Sequence, residues 1–302
     1  MPLNQQALDE YWYLVAERQA IWHRRFVLKQ PKPWSDDPIL RNYKFCNIYR
    51  ELDPGTKFIV EEVLEKGLPF DQAVFNVLLY RLIGRADTMR KVGIVDPYFY
   101  TPEKLAAALN EVSRYHPVFT GAYIVAAYGD GKKIDNVARL FKTIADGISS
   151  TGSKLLGCRT SEEAYGVLLN LPGFGNFLAY QCLVDLRYPL QVYGGKAVLP
   201  FDNNEWVSAG PGAMEGLGFL GVADKKQYLP TMRWLRDNQE SEFKRLGLTF
   251  HAWEGRRLDL ANIQGTLCEF HKYHKVKHGL GKMRSRYPGE AAEATVEAGA
   301  FF

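Results

Sequence analysis

The pentapeptide Leu171-Pro172-Gly173-Phe174-Gly175 lies between two apolar stretches and limits the fold more than any other segment. Proline lacks the N–H that a helix interior needs, and glycine costs a helix about 1 kcal/mol relative to alanine, so helical spacing ending near Leu171 cannot run through it. From Asn176 to Asp185 the apolar residues return at helical spacing. Two helices joined by so short a turn give a helix-hairpin-helix, whose tip offers backbone N–H groups at a helix N-terminus as a seat for phosphate. Gly173, Gly175 and Asn176 are the candidate contacts to a nucleic-acid backbone. A plain turn between two helices is the competing reading of the same residues.

The rest of the chain also reads as helical. Apolar residues recur at three- and four-residue spacing from Gln5 to about Lys29, from Lys57 to Lys66, Pro69 to Ile83, Pro102 to Ser113, Asp135 to Ile148, Ser161 to Leu169 and Leu229 to Leu246. Asn42 to Asp53 is predicted as an amphipathic helix with Asn47, Arg50 and Asp53 on one face, and Gly147 to Gly157, rich in Ser and Gly, as a loop. Thr160-Ser161-Glu162-Glu163 reads as an N-cap, and Gly210-Pro211-Gly212-Ala213 as a break before a run of small residues. The expectation is an all-α, two-lobed chain forming one catalytic domain over residues 1–302, with an N-terminal arm to about residue 35, the hairpin at about 161–187, a basic C-terminal segment at about 263–288, and a frayed end beyond Pro288.

Composition narrows the chemistry. The four cysteines, Cys46, Cys158, Cys182 and Cys268, are too widely spaced for a zinc knuckle or an iron–sulfur cluster. His271, His274 and His278 have ligand-like spacing, but a solvated basic face is the stronger reading, so no metal is expected. With no run of about 18 apolar residues and no signal sequence, a cytoplasmic protein is expected. The formal charge of +4 favours an anionic partner only weakly. Kinase chemistry lacks its phosphate loop, because Gly129-Asp130-Gly131-Lys132-Lys133 does not have the Gly-x-x-x-x-Gly-Lys-Ser/Thr spacing.

The Leu-Pro-Gly-x-Gly turn followed by Asp202 resembles the helix-hairpin-helix DNA glycosylases, except that Asn176 and Phe177 stand where bifunctional members carry a nucleophilic lysine. Four segments in order carry a narrower resemblance: Asn47-Ile48-Tyr49-Arg50-Glu51-Leu52-Asp53, Leu171 to Gln181 with Asp185, Gly210 to Ala213, and Leu267-Cys268-Glu269-Phe270-His271-Lys272-Tyr273. Together they resemble the α-glutamyl/putrescinyl thymine pyrophosphorylases, the phage amino acid:DNA transferases, and similar helical segments flank some phage 5-hydroxymethyluracil DNA kinases. The resemblance implies a glycosylase-like fold and a transferase that works after such a kinase. An amino acid such as glycine, or a polyamine, displaces pyrophosphate from 5-pyrophosphoryloxymethyl-deoxyuridine in double-stranded DNA. No resident cofactor is implied, although Mg²⁺ could arrive on the pyrophosphate.

That reaction needs an accessible base, stabilisation of the departing anion and an acceptor for the amine proton. Asp202 is the first candidate for the carboxylate, with Glu205 and Glu269 behind it; Asp202 reads equally as a helix cap. Arg50 and Lys272 are the favoured cations for pyrophosphate, ahead of Lys44 and Arg81, and each could instead pair with a neighbouring carboxylate. Asn47, Tyr49, Gln181, Asp185, Asn203, Asn204 and Tyr273 complete the substrate-binding set, with Tyr180 and Trp206 as further aromatic lining for an extruded base. Lys275 and Lys277 would add contacts to DNA phosphates. A monofunctional glycosylase and a non-catalytic DNA-binding module are the competing functions.

Overall fold

A computed structural model describes residues 3–283 and Arg286; Arg284 and the expected frayed end beyond Pro288 lie outside the described residues. Among the described residues the regular elements are all helical, with two isolated β-bridges. The chain divides into two compact units, residues 54–205 and the remainder.

The discontinuous unit is formed by α1 (Gln5–Trp22), α2 (Pro38–Asn42), α3 (Pro211–Phe219), α4 (Tyr228–Arg245) and α5 (Leu260–Lys277). Helix α5 is its axis. Asp259 caps it by accepting from the Asn262 N–H at 2.7 Å, and Ile263, Leu267 and Phe270 are fully buried along it. The expected N-terminal arm is part of this core: Tyr11, Trp12, Leu14 and Val15 of α1 are completely buried, and the Tyr11 hydroxyl hydrogen-bonds Thr266 Oγ1 at 2.7 Å. Helix α3 explains the Gly-Pro-Gly motif. Pro211 occupies its first turn, where a missing N–H does no harm, while Gly212 and Gly216 let it lie directly on α5. A Cβ at Gly212 would collide with Cys268 Sγ, and one at Gly216 with the Leu267 carbonyl oxygen.

The continuous unit contains a helical stretch from Pro54 to Lys66, then α6 (Phe70–Ile83), α7 (Ala86–Val92), α8 (Pro102–Val112), α9 (Lys133–Asp146), α10 (Ile148–Gly157), α11 (Ser161–Leu169) and α12 (Asn176–Leu186). Helix α6 is buried over most of its length and packs on α12, α10 and α9. Its Arg81 meets Asp185 of α12 side-on, with both N···O distances 2.5 Å, the aspartate wholly buried. Helices α11 and α12 form the hairpin: Thr160 caps α11, Gly173 takes φ +80°, and Gly175 ends the turn without a side-chain cap on α12.

Two local expectations are corrected. Residues 43–49 are not helical, and only Arg50–Leu52 makes a single 3₁₀ turn. The N–H groups of Cys46 and Asn47 bond to the carboxylates of Glu269 and Asp53 instead of to helical carbonyls, which draws this segment onto α5. The Ser- and Gly-rich stretch expected as a loop is α10. Ile148, Thr151, Gly152 and Leu155 form a buried stripe at helical spacing, and its burial overrides weak intrinsic propensity. Helix α7 gave no recognised periodic signal.

Candidate active site

The two motifs at residues 44–53 and 260–273 come together in the discontinuous unit. Glu269, 4 % exposed, accepts from the Cys46 N–H at 3.1 Å and from Lys272 Nζ, one turn along α5, at 2.6 Å. Burial opposes the Lys272 charge, but Glu269 outweighs it and holds the ammonium protonated well above the usual range. The lysine side chain keeps 36 % exposure.

Asp53 sits at the other side of the same loop. Its Oδ1 accepts from both the backbone N–H of Asn47, at 2.8 Å, and the Asn47 side-chain amide, at 3.0 Å. The Asn47 amide also donates to the Leu52 carbonyl and accepts from Arg18, so Asn47 is a positioning residue with its polar atoms engaged inside the protein. Burial pushes the Asp53 carboxyl up to about 6; Asn47, Arg50 and Arg18 pull the other way, and Glu269 adds to the rise. A carboxyl poised there is ionised at neutral pH yet basic enough to accept a proton.

Arg50 is anchored on α5 by its backbone N–H, which donates to Asn262 Oδ1 at 3.0 Å, and its side chain runs over Gly265. Gln264 Oε1, on the same helix and next to Gly210, is buried without a hydrogen-bond partner. Cys268 lies among these groups, but burial raises its thiol to about 11, so it stays protonated rather than acting as a nucleophile. Asn47, Arg50, Glu269 and Lys272 therefore lie on neighbouring segments of one unit. Asp53, Asn262 and Gln264 join them.

The remaining candidates fall elsewhere. Tyr49 is fully buried, its hydroxyl donates to the Arg256 carbonyl, and burial lifts it to about 12. Tyr273 is likewise buried and donates to Asp37 Oδ2 at 2.7 Å. Arg81 and Asp185 neutralise each other, and Tyr180 and Gln181 are buried on α12. Lys277 lies over the Tyr273 ring and 3.6 Å from Glu10, and the stem of Lys275 backs onto Gly281.

Asp202 does not stand near the hairpin bend. Its Oδ1 accepts from the Asn204 N–H at 2.8 Å, capping a turn rather than a helix, and its carbonyl accepts from Arg187. Glu205 accepts from the N–H of Ser161 at 3.3 Å, and Asn203 and Asn204 belong to the same turn. Arg187 closes α12 and Ser161 opens α11, so this group lies at the open end of the hairpin, separated from Gly173 by the length of α12, about 16 Å. The juxtaposition expected from the glycosylases is absent because the return from α12 through Leu199, bonded to the Leu186 carbonyl, leaves the chain beside the helix C-terminus. The hairpin tip itself is as expected. Gly175, Asn176 and Phe177 are exposed at the start of α12, whose first turn carries no acidic residue.

The sequence matches the family described as "5-hmdU DNA kinase, helical domain" over residues 5–283. The chain belongs to that family. A relative of this helical-domain family, the 5-hmdU DNA kinase of Bacillus phage SP10, is 30% identical over 288 residues, covering 89% of this chain. The chain spans 45% of that relative's length. No solved structure matches the chain significantly. Among the described residues no helix is long and apolar enough to cross a membrane.

Proposed function

We propose that this chain is a pyrophosphate-displacing transferase of phage DNA hypermodification, acting on 5-pyrophosphoryloxymethyl-deoxyuridine in double-stranded DNA. The amine nitrogen of a donor, an amino acid such as glycine or a polyamine, forms a bond to the base methylene as the methylene–oxygen bond breaks. Pyrophosphate leaves with the bonding pair, and the amine loses a proton. The observation that carries the reading is Asp53, a carboxyl clamped by the backbone N–H and side-chain amide of Asn47 in a loop shared with Arg50, the same loop whose Cys46 N–H bonds Glu269, the partner of Lys272; burial raises that carboxyl to about 6. Asp53 takes the amine proton; Lys272 and Arg50 stabilise the departing anion, the arginine offering a planar fork and the lysine a point charge. Gln264 supplies a buried amide for the uracil edge. The exposed N–H groups at the start of α12 hold a DNA phosphate. Since the diphosphate carries its own charge into the site, Mg²⁺ bound to it fits the scheme without a protein ligand set.

The share of the relative that the chain spans favours a second reading. In it the domain recognises the hydroxymethylated or phosphorylated base while a separate kinase domain performs the chemistry, a functional coupling that the transferase reading also needs. Incubating the full chain with DNA bearing the pyrophosphorylated base and a panel of amines, followed by digestion to nucleosides and mass spectrometry, separates the possibilities. An aminated thymidine supports the transferase. Free base or abasic sites point to a glycosylase, and bound but unchanged DNA points to the recognition domain.

A further inference from the structure

Of the three histidines expected on a solvated basic face, His274 is half-buried and His278 exposed, and both turn onto a carboxylate. His274, in the last turn of α5, and His278, which closes that helix, lie four residues apart on one side and turn onto Glu10 of α1. His274 Nδ1 is 2.9 Å from Glu10 Oε2, and His278 Nε2 is 3.0 and 3.1 Å from the two carboxylate oxygens. One donor atom from each residue falls within 4.8 Å of the other two. Glu10 is 8 % exposed, which is unusual for a carboxylate on a helix whose next residues form the apolar core.

We propose that Glu10, His274 and His278 form a binding site for a divalent transition-metal ion of the Zn²⁺ class. Two imidazoles and a carboxylate suit Zn²⁺, and bonds of about 2.0–2.1 Å place tetrahedral ligand atoms roughly 3.3–3.5 Å apart, so each imidazole needs to draw back from the carboxylate by only a few tenths of an ångström, while the two imidazole nitrogens already lie within 4.8 Å of each other. The rings are already oriented by packing: Phe219 lies 4.3 Å from the His274 ring, and the His278 ring lies 4.2 Å from it on centroids. Three protein ligands leave one position for water or an exogenous donor. Lys277 Nζ, 3.6 Å from Glu10 Oε1, is the resident cation that an entering metal displaces; its side chain is 39 % exposed and free to swing away. Such an ion would pin α1 to the turn of α5 that follows Lys272.

Titration of the tag-free full chain with Zn²⁺ by calorimetry, and with Co²⁺ by its visible absorption, tests the site. One equivalent should bind, and Glu10→Gln, His274→Ala and His278→Ala should each weaken it at least about tenfold. Lys277→Gln should tighten it by removing the competing charge. His278 is 35 % exposed at its side chain, so His278→Ala keeps the test valid even if substitution at His274 disturbs folding. Lack of saturable binding, binding unaffected by either histidine substitution, or a Glu10→Gln variant equal to wild type would each overturn the three-ligand site.

Discussion

Asp53 Oδ1 receives two hydrogen bonds from one residue, the backbone N–H and the side-chain amide of Asn47. This clamp fixes the carboxyl's direction while burial lifts its proton affinity, a combination suited to a general base and unfavourable for stability at neutral pH.

Asp53→Asn should therefore stabilise the protein. The carboxyl has a folded pKa of about 6 against 3.8 for the ordinary group, so the folded state pays nothing for it below pH 3.8 and the full penalty of the buried charge above about pH 6. The variant should match wild type near pH 4 and exceed it by on the order of 1–3 kcal/mol at pH 8. Denaturant unfolding at the two pH values checks this; a variant less stable at pH 8 argues against a desolvated carboxylate with a raised pKa.

The pH profile of transfer should carry the same signature. With saturating DNA, kcat/KM expressed per free-base amine should fall with unit slope as pH drops through about 6, because protonated Asp53 cannot accept the amine proton. Steady-state rates from pH 5 to 8 measure it.

Lys272→Met should weaken inorganic pyrophosphate binding by at least about tenfold, since a charge-assisted contact contributes roughly 1.5–3 kcal/mol. Direct titration with pyrophosphate reads the effect, and Lys272→Arg should recover part of it.

Asn176→Asp separates folding from DNA contact at the hairpin. A carboxylate in the first turn of α12 favours the helix by a few tenths of a kcal/mol, so melting temperature should hold or rise. The same charge repels a phosphate seated on those N–H groups, so affinity for duplex DNA should fall at low salt. Unchanged affinity would remove the tip from the DNA interface.

Asp185→Ala should cost about 3–5 kcal/mol, because Arg81 would be left charged and 11 % exposed at its side chain with its carboxylate gone. Thermal melting of the single variants and of a double Arg81→Met, Asp185→Leu variant should show strongly non-additive losses.

Much of this was legible from periodicity: the hairpin, the Thr160 cap and the boundaries of α6 and α4 follow from apolar spacing and breakers. What periodicity could not show were segments whose conformation is set by distant partners. Residues 43–49 have helical spacing, yet Glu269, more than 200 positions away, takes a backbone N–H and holds them out of a helix. Asn47, Arg50, Glu269 and Lys272 were visible through their motifs. Asp53 was visible only as a possible member of a helix face that does not form, and Asn262 and Gln264 carry no local signal because their role comes from the α5 surface they share with Arg50. Asp202 failed for the converse reason: spacing along the chain placed it beside the bend, and the path back past Arg187 carries it to the far end of the hairpin.

The most direct test compares Asp53→Asn with Asp202→Asn, both as folded full-length protein, in the amine-transfer assay on pyrophosphorylated DNA. Asp53→Asn should lose about 10²–10⁴-fold in rate, the usual contribution of a general base, with DNA binding retained, while Asp202→Asn stays within a fewfold of wild type. A fully active Asp53→Asn variant beside an inactive Asp202→Asn would contradict the account and move the chemistry to the other unit.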